Sequence, residues 1–510
     1  MWFSTFRLVA HLILFGIGQA FAQLSTWEPP IYDSTFEQYI DHSNPSLGTF
    51  QQRYWYNSEF WGGQGSPVIF INGPEMDAGI TASDVGNGSF WSVYAREVRA
   101  AIILVEHRYW GESSPYGVLD AEAFQYLTVD QTIADYTRFS RTVKLPFDAD
   151  ASSNAPQAPW VSVGCSYPGM LAAWTSRLDP GTFWAYHAMS APSAFVRIAQ
   201  HVGDTIAAGD PVEIAHLKDV FGTGALEDDD FARALVWGLD NWQIEMFSDA
   251  GTTSVFLNMC DAVEGAVDDV PVSAIPEEGV GLEKAPPNFA SWFKTDYIAN
   301  RCRGTVLFSN TDNLTLYDDW LSPNSVACLD WTLNATSSGV VDLSSNSPRD
   351  RRYWWLTCNE PTLWTFQVPP PDNRPSLISR TITTDYAAGI CSRLFPADKG
   401  YKYGLANGRT AETVNEHTGG WNYTNSTRLM WSNGELDQWG TRGVSSKFRP
   451  SGPLQSTEEV PVFVIPGGHH CSDSFLSQGV NPGVKAVQEA EIAYVKKWVA
   501  EFYEQKRGRT

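Results

Sequence analysis

Short, almost wholly apolar runs recur along the chain, and each breaks abruptly into a polar or glycine-rich turn. Val68-Ile69-Phe70-Ile71 runs into Asn72-Gly73-Pro74-Glu75, and Ile102-Ile103-Leu104-Val105 into Glu106-His107-Arg108-Tyr109. Trp160-Val161-Ser162-Val163 meets Gly164, Arg428-Leu429-Met430-Trp431 meets Ser432-Asn433-Gly434, and Val462-Phe463-Val464-Ile465 meets Pro466-Gly467-Gly468. Runs without polar alternation predict strands buried on both faces, the pattern of a parallel sheet flanked by helices. Helical stretches are predicted from Thr128 to Thr142 and from Met170 to Arg177. Near the C-terminus, Val484, Val487, Ile492, Val495, Trp498, Val499 and Phe502 fall mostly on one stripe with Lys and Glu elsewhere. That spacing predicts a helix that packs on the sheet and closes the domain.

The middle differs. From about Val196 to Asp350 the chain is Asp-rich and mostly non-periodic, with an acidic cluster from Glu227 to Asp230. Sheet-like portions on either side predict an insertion into one catalytic domain, with first part 23–195, inserted cap 196–350 and second part 351–510. Residues 1–22 are set apart as an export signal. Arg7 gives a positive start, Leu8 to Ile17 an apolar core, and Ala20-Phe21-Ala22 a small-x-small cleavage site ahead of Gln23. The apolar run is well short of the ~20 residues that a membrane span needs.

Other features agree with export. Sequons occur at Asn87, Asn313, Asn334, Asn422 and Asn425. Of seven cysteines, Cys165 is expected to stay unpaired. That leaves Cys260, Cys302, Cys328, Cys358, Cys391 and Cys471 as an even set with open connectivity. The formal net charge of −23 gives nucleic-acid binding a repulsive starting term, and no basic stripe offsets it. No internal repeat or long low-complexity tract is present.

Gly164-Cys165-Ser166-Tyr167-Pro168-Gly169 lies between a predicted strand and a predicted helix, the context of a nucleophile elbow. There a serine sits on a sharp turn with its hydroxyl pushed out above the sheet. Pro168 stands where a second glycine is usual, at a helix position that loses no needed hydrogen bond to proline. A hydroxyl nucleophile needs a base, and the base an orienting acid, in the chain order Ser, acid, His. Asn433-Gly434-Glu435-Leu436-Asp437-Gln438-Trp439 and Gly467-Gly468-His469-His470-Cys471 follow two late strands, at the ends where open α/β sheets place their sites. Asp312 stands after a similar run and competes as the acid. A metal site at the His pair has no spaced partner motif, and none is expected.

These residues resemble the proline-specific serine peptidases that include lysosomal Pro-X carboxypeptidase, dipeptidyl peptidase II and the secreted fungal prolyl endopeptidases, most of all the fungal branch. The similarity runs from Phe36-Glu37-Gln38 and Asp41-His42 to the last helix. It is most specific at Glu106-His107-Arg108-Tyr109-Trp110-Gly111-Glu112-Ser113, and continues through Tyr126-Leu127-Thr128, Cys358-Asn359-Glu360-Pro361, Ser432-Asn433-Gly434 and His470-Cys471-Ser472-Asp473. The resemblance implies an α/β-hydrolase domain with an inserted, mainly helical cap, and hydrolysis on the carboxyl side of proline, usually at acidic pH. It makes Ser166 the nucleophile, Asp437 the orienting acid and His470 the base. Tyr167 and Gly73 become the oxyanion-hole positions, and Met170 and Trp439 the walls of the proline pocket. The chain departs from the family's pattern at Cys165, Pro168, Pro74, which has no N–H to donate, and Gln438.

The expected protein is thus a secreted, extracellular peptidase, or a vacuolar or lysosomal one. It acts on peptide or protein substrates with no cofactor, no nucleic acid and no membrane, and is compatible with a homodimer. Two rival readings are an esterase or lipase on the same fold, and a secreted pseudo-hydrolase whose altered elbow cannot catalyse.

Overall fold

The computed structural model describes residues 31–190, 209–240, 255–265, 284–298, 351–361, 379–397, 399–423 and 425–508, with single positions 242, 245, 280, 326 and 329–331. The expected export signal, Asp312, Asn313, Asn334, Cys302 and Cys328 lie outside the described residues.

The strands are β1 (Tyr32–Tyr39), β2 (Thr49–Asn57), β3 (Val68–Asn72), β4 (Ala101–Val105), β5 (Trp160–Cys165), β6 (Ala185–Met189), β7 (Leu429–Gly434) and β8 (Val462–Ile465). They form one eight-stranded sheet in the order β1-β2-β4-β3-β5-β6-β7-β8. β2 pairs antiparallel with β1 and β4, and every pair from β4 to β8 is parallel. The principal helices are α1 (Phe90–Val98), α2 (Val129–Thr142), α3 (Tyr167–Leu178), α4 (Pro211–Val220), α5 (Asp228–Asp240), α6 (Val255–Glu264), α7 (Ala285–Trp292), α8 (Arg351–Asn359), α9 (Thr384–Leu394), α10 (Ala411–Thr418) and α11 (Pro482–Arg507). This is the expected α/β-hydrolase arrangement.

The unbroken apolar runs have a packing reason. Along β3, Val68 and Phe70 pack with Ile133, Tyr136 and Phe139 of α2, while Ile69 and Ile71 pack with Phe90 and Tyr94 of α1 and Val495 and Trp498 of α11. Successive side chains point to opposite faces, and both faces are covered, so a polar residue fits only where it is paired, as Asn72 is with Ser162 of β5 (3.1 Å). β8 is the exception. It is an edge strand, and Val464 is 52% exposed, so full burial on both faces fails there. β1 and β2 alternate exposed and covered positions, and β6 carries His187, so none of the three forms an apolar run.

α2 starts where expected because the Thr128 side chain accepts the Gln131 N–H. α3 starts at Tyr167, three residues earlier than expected, directly from the elbow. The acidic cluster opens α5, where Asp228, Asp229 and Asp230 meet the positive end of the helix. Asp230 also accepts from the Tyr386 hydroxyl (2.7 Å) and the Trp331 N–H (2.8 Å). Among the described residues, the chain between β6 and β7 is helical and contributes no strand to the sheet. No helix among them is long and apolar enough to cross a membrane.

Candidate active site

Ser166 joins β5 to α3 with φ 62° and ψ −130°, a left-handed backbone that costs a non-glycine residue energy and has to be enforced by its surroundings. Here it is enforced from several sides. The Ser166 N–H donates to Met189 O of β6 (3.0 Å). Asn72, at the end of β3, donates from Nδ2 to Val163 O (3.0 Å) and Pro168 O (3.2 Å), tying both arms of the turn to the neighbouring strand. A Cβ on Gly164 would meet the Pro168 carbonyl carbon and oxygen at 2.5 Å, so only glycine lets β5 and α3 approach this closely. Pro168 sits in the first turn of α3, where its missing N–H costs nothing.

The loops that carry Asp437 and His470 lie against each other. A Cβ on Gly434 would meet Gly468 O at 2.3 Å and His469 O at 2.5 Å, and the Leu436 N–H donates to Gly468 O (2.9 Å). His470 Nδ1 lies 3.1 Å and 3.2 Å from the two carboxylate oxygens of Asp437. The acid is held in turn by the Trp439 N–H, which donates to Asp437 Oδ1 (2.8 Å). The Asp437 side chain is buried, and that of His470 is 11% exposed. Against that carboxylate Nδ1 carries the hydrogen, so Nε2 is the nitrogen open to accept a proton. His469, one residue earlier, faces Trp242: its Nδ1 lies 3.2 Å from Trp242 O and the two ring centroids lie 4.8 Å apart, with the planes inclined at 60°. The Trp242 indole N–H donates to Leu436 O (3.0 Å), so one residue between β6 and β7 touches the neighbours of both Asp437 and His470.

Gly73 follows β3 so tightly that a Cβ would meet Val105 O at 2.2 Å. Tyr167 begins α3, where a backbone N–H has no partner within its own helix. The two expected pocket walls have different neighbours. Met170 lines a cavity of about 770 Å³ with Trp174, Trp421, Trp431 and Arg442. Trp439 stands outside that lining, its ring 6.1 Å from the His470 ring.

The motif from Glu106 to Ser113 reaches the elbow through Tyr167. Arg108 makes a paired contact with Asp135, Nε to Oδ2 at 2.7 Å and a second guanidinium nitrogen to Oδ1 at 2.6 Å, both side chains fully buried. Burial alone would raise the Asp135 carboxyl, but the charge and hydrogen bonds of Arg108 hold it below its ordinary value. His107 donates from Nδ1 to Arg108 O (2.8 Å) and accepts at Nε2 from the Tyr167 hydroxyl (3.0 Å). Burial lowers His107 to about 4, so the imidazole is neutral and keeps that acceptor. Glu106 pairs with Arg53 (2.6 and 2.8 Å), and Gly111, at φ 52°, leaves room for the pair.

Behind the base loop lies a second ionisable cluster. Asp473 and Glu491 are fully buried beside His187, whose Nδ1 lies 3.1 Å from the Tyr94 hydroxyl and whose Nε2 lies 3.0 Å from Ser432 Oγ and 3.4 Å from Glu491 Oε1. Burial raises both carboxyls, with the charge of Glu491 adding to the shift of Asp473, so that each stands at about 8, and burial lowers His187 to about 4. Donor atoms of His187, Asp473 and Glu491 lie within 4.8 Å of one another, close enough to share an ion.

The cysteines overturn one expectation. Cys165 is not unpaired: it forms a disulfide with Cys471, while Cys358 pairs with Cys391 and Cys260 is free. Sequence reading had one signal for the first bond, a cysteine beside each of two residues that the fold must bring together. It had no signal for the contact of Trp242 with His469.

Sheet order, crossovers and a strained serine at the β5–α3 turn define the class: this is an α/β hydrolase. The chain belongs to the serine carboxypeptidase S28 family, whose description matches residues 38–489, and it is a serine peptidase. It is 37% identical to a serine protease, vicPb, of Bipolaris victoriae, over 92% of this chain and 89% of that one. It is 24% identical to the lysosomal Pro-X carboxypeptidase of Bos taurus, over 92% of this chain and 88% of that one. It is 25% identical to a probable extracellular serine carboxypeptidase of Arthroderma benhamiae, over 88% of this chain and 64% of that one. Among solved structures, a peroxisomal alpha-beta-hydrolase of Saccharomyces cerevisiae aligns with a TM-score of 0.34 at 10% identity, over 94% of this chain and 91% of that one.

Proposed function

We propose that this peptidase is secreted and cleaves on the carboxyl side of proline through an acyl-enzyme, with Ser166, Asp437 and His470 as its triad. The observation that carries the reading is the Asp437–His470 pair, with His470 Nε2 left as the base. Nε2 takes the Ser166 proton as Oγ attacks the carbonyl carbon, and the N–H groups of Tyr167 and Gly73 hold the oxyanion. His470 then gives the proton to the leaving amine, and water activated by the same nitrogen releases the acyl group. Met170 and Trp439 are the residues proposed to contact the proline ring, an apolar thioether and an indole suited to a compact ring. Residues 196–350 are read as the cap over this site. The similarity to an enzyme named for Pro-X cleavage supports the specificity. The disulfides, and a relative described as extracellular, support export.

The test combines fluorophosphonate labelling with matched peptides that carry Pro, Ala or Leu before the scissile bond. Wild type should label on Ser166 and cleave the Pro peptide at least ~10-fold faster, the span that pocket contacts provide. Ser166→Ala should neither label nor turn over. Equal rates on the three peptides would remove the proline specificity, and an active Ser166→Ala would remove the triad.

A further inference from the structure

The nucleophile and the base reach the site from opposite ends of the chain. Ser166 leaves a central strand, whereas His470 sits on a loop after β8, an edge strand with one exposed flank. The Cys165–Cys471 disulfide joins the residue before one to the residue after the other, across a sequence separation of 306, with 5.9 Å between the Cα atoms. Both sulfurs and a ring nitrogen of His470 lie within 4.8 Å of one another, so the bond runs beside the imidazole itself. Cys471 has φ 59°, and its N–H donates to Ser190 Oγ (2.9 Å), so the base loop also turns sharply at the point of attachment.

We propose that the Cys165–Cys471 disulfide is a positioning element of the catalytic site, holding the base loop against the elbow so that His470 stays in register with Ser166. The proposal rests on the triad reading above. Proton transfer needs the two groups placed to a fraction of an ångström, and an edge loop moves more freely than a central strand. A covalent tie between the immediate neighbours of both groups removes that freedom directly. The bond is also open to control. Cys165 and Cys471 are partly exposed, whereas Cys358 and Cys391 are fully buried, so a dithiol reductant reaches the first pair ahead of the second. Reduction transfers two electrons and two protons to the sulfurs, leaving two thiols on the protein and a disulfide on the reductant.

The experiment treats the folded full-length enzyme with a mild dithiol, alkylates the freed thiols and locates them by mass spectrometry. Cys165→Ala/Cys471→Ala is prepared alongside. With Cys165 and Cys471 modified and Cys358–Cys391 intact, kcat and the fluorophosphonate labelling rate should fall by about 10–100-fold, with KM changed less than about 2-fold. Reoxidation before alkylation should restore the reduced wild type and leave the double variant unchanged. Full kcat after quantitative modification of both cysteines overturns the proposal. So does a loss that coincides with global unfolding in circular dichroism, since a merely structural bond behaves that way. Failure of the triad reading shows separately, as labelling that survives Ser166→Ala in the oxidised enzyme.

Discussion

His469 and His470 share a loop but have different surroundings. His470 meets a buried carboxylate, and His469 meets the carbonyl and ring of Trp242. Burial lowers the His469 imidazole, which suits a neutral ring packed against indole. His470→Ala is expected to cut kcat by at least ~10⁴-fold, because the hydroxyl loses its base. His469→Phe keeps the ring contact with Trp242 and should retain activity within about 10-fold. Steady-state rates on one peptide check both, and a dead His469→Phe beside a live His470→Ala would reverse the assignment.

At the scale of the element, the segment after β4 supports catalysis without reaching it. Arg108 and Asp135 lock that segment to α2, and His107 carries the constraint to Tyr167 at the start of α3. The pair is fully buried, so removing one partner leaves an uncompensated charge. Arg108→Met should destabilise the fold by about 3–5 kcal/mol in urea unfolding, Asp135 being only partly relieved by His42 at 2.7 Å. A loss under about 1 kcal/mol would mean that the pair adds little beyond its packing.

Over the whole molecule, buried ionisable groups set a preference for acid. Asp473 and Glu491, raised to about 8, and Glu360, raised to about 7, keep protons in the fold that the unfolded chain releases near pH 4. Their contribution is fully present below about pH 4 and is lost as pH rises toward 8. His107 and His187, lowered to about 4, act the other way: their contribution is present above about pH 6.5 and is lost as pH falls through 4. Stability should therefore rise as pH drops from about 8.5 to 6.5 and level off from there toward about 4.5. Thermal unfolding across that range checks it, and Glu491→Gln should flatten the rising limb. A melting temperature that increases with pH between about 6.5 and 8.5 would contradict the account.

Local chemistry determined much of this protein from its sequence. Four strands, β3, β4, β5 and β7, declared themselves because strands covered on both faces are mostly apolar, and α2 because Thr128 caps it. The turns that carry Ser166, Asp437 and His470 stood out because elbows and strand-end loops need glycine at fixed places, whereas the preference for Asp437 over Asp312 and for His470 over His469 came from the family resemblance. Tertiary structure alone decided what depends on segments far apart in sequence. It paired Cys165 with Cys471, set Trp242 on His469, and gathered Asp473, Glu491 and His187 into one buried cluster. β8 shows the same limit from the other side: its composition reads as interior, but its place at the edge of the sheet leaves Val464 in water. Periodicity reports how a segment meets its own two faces, whereas the partner on each face is chosen only when the whole sheet closes.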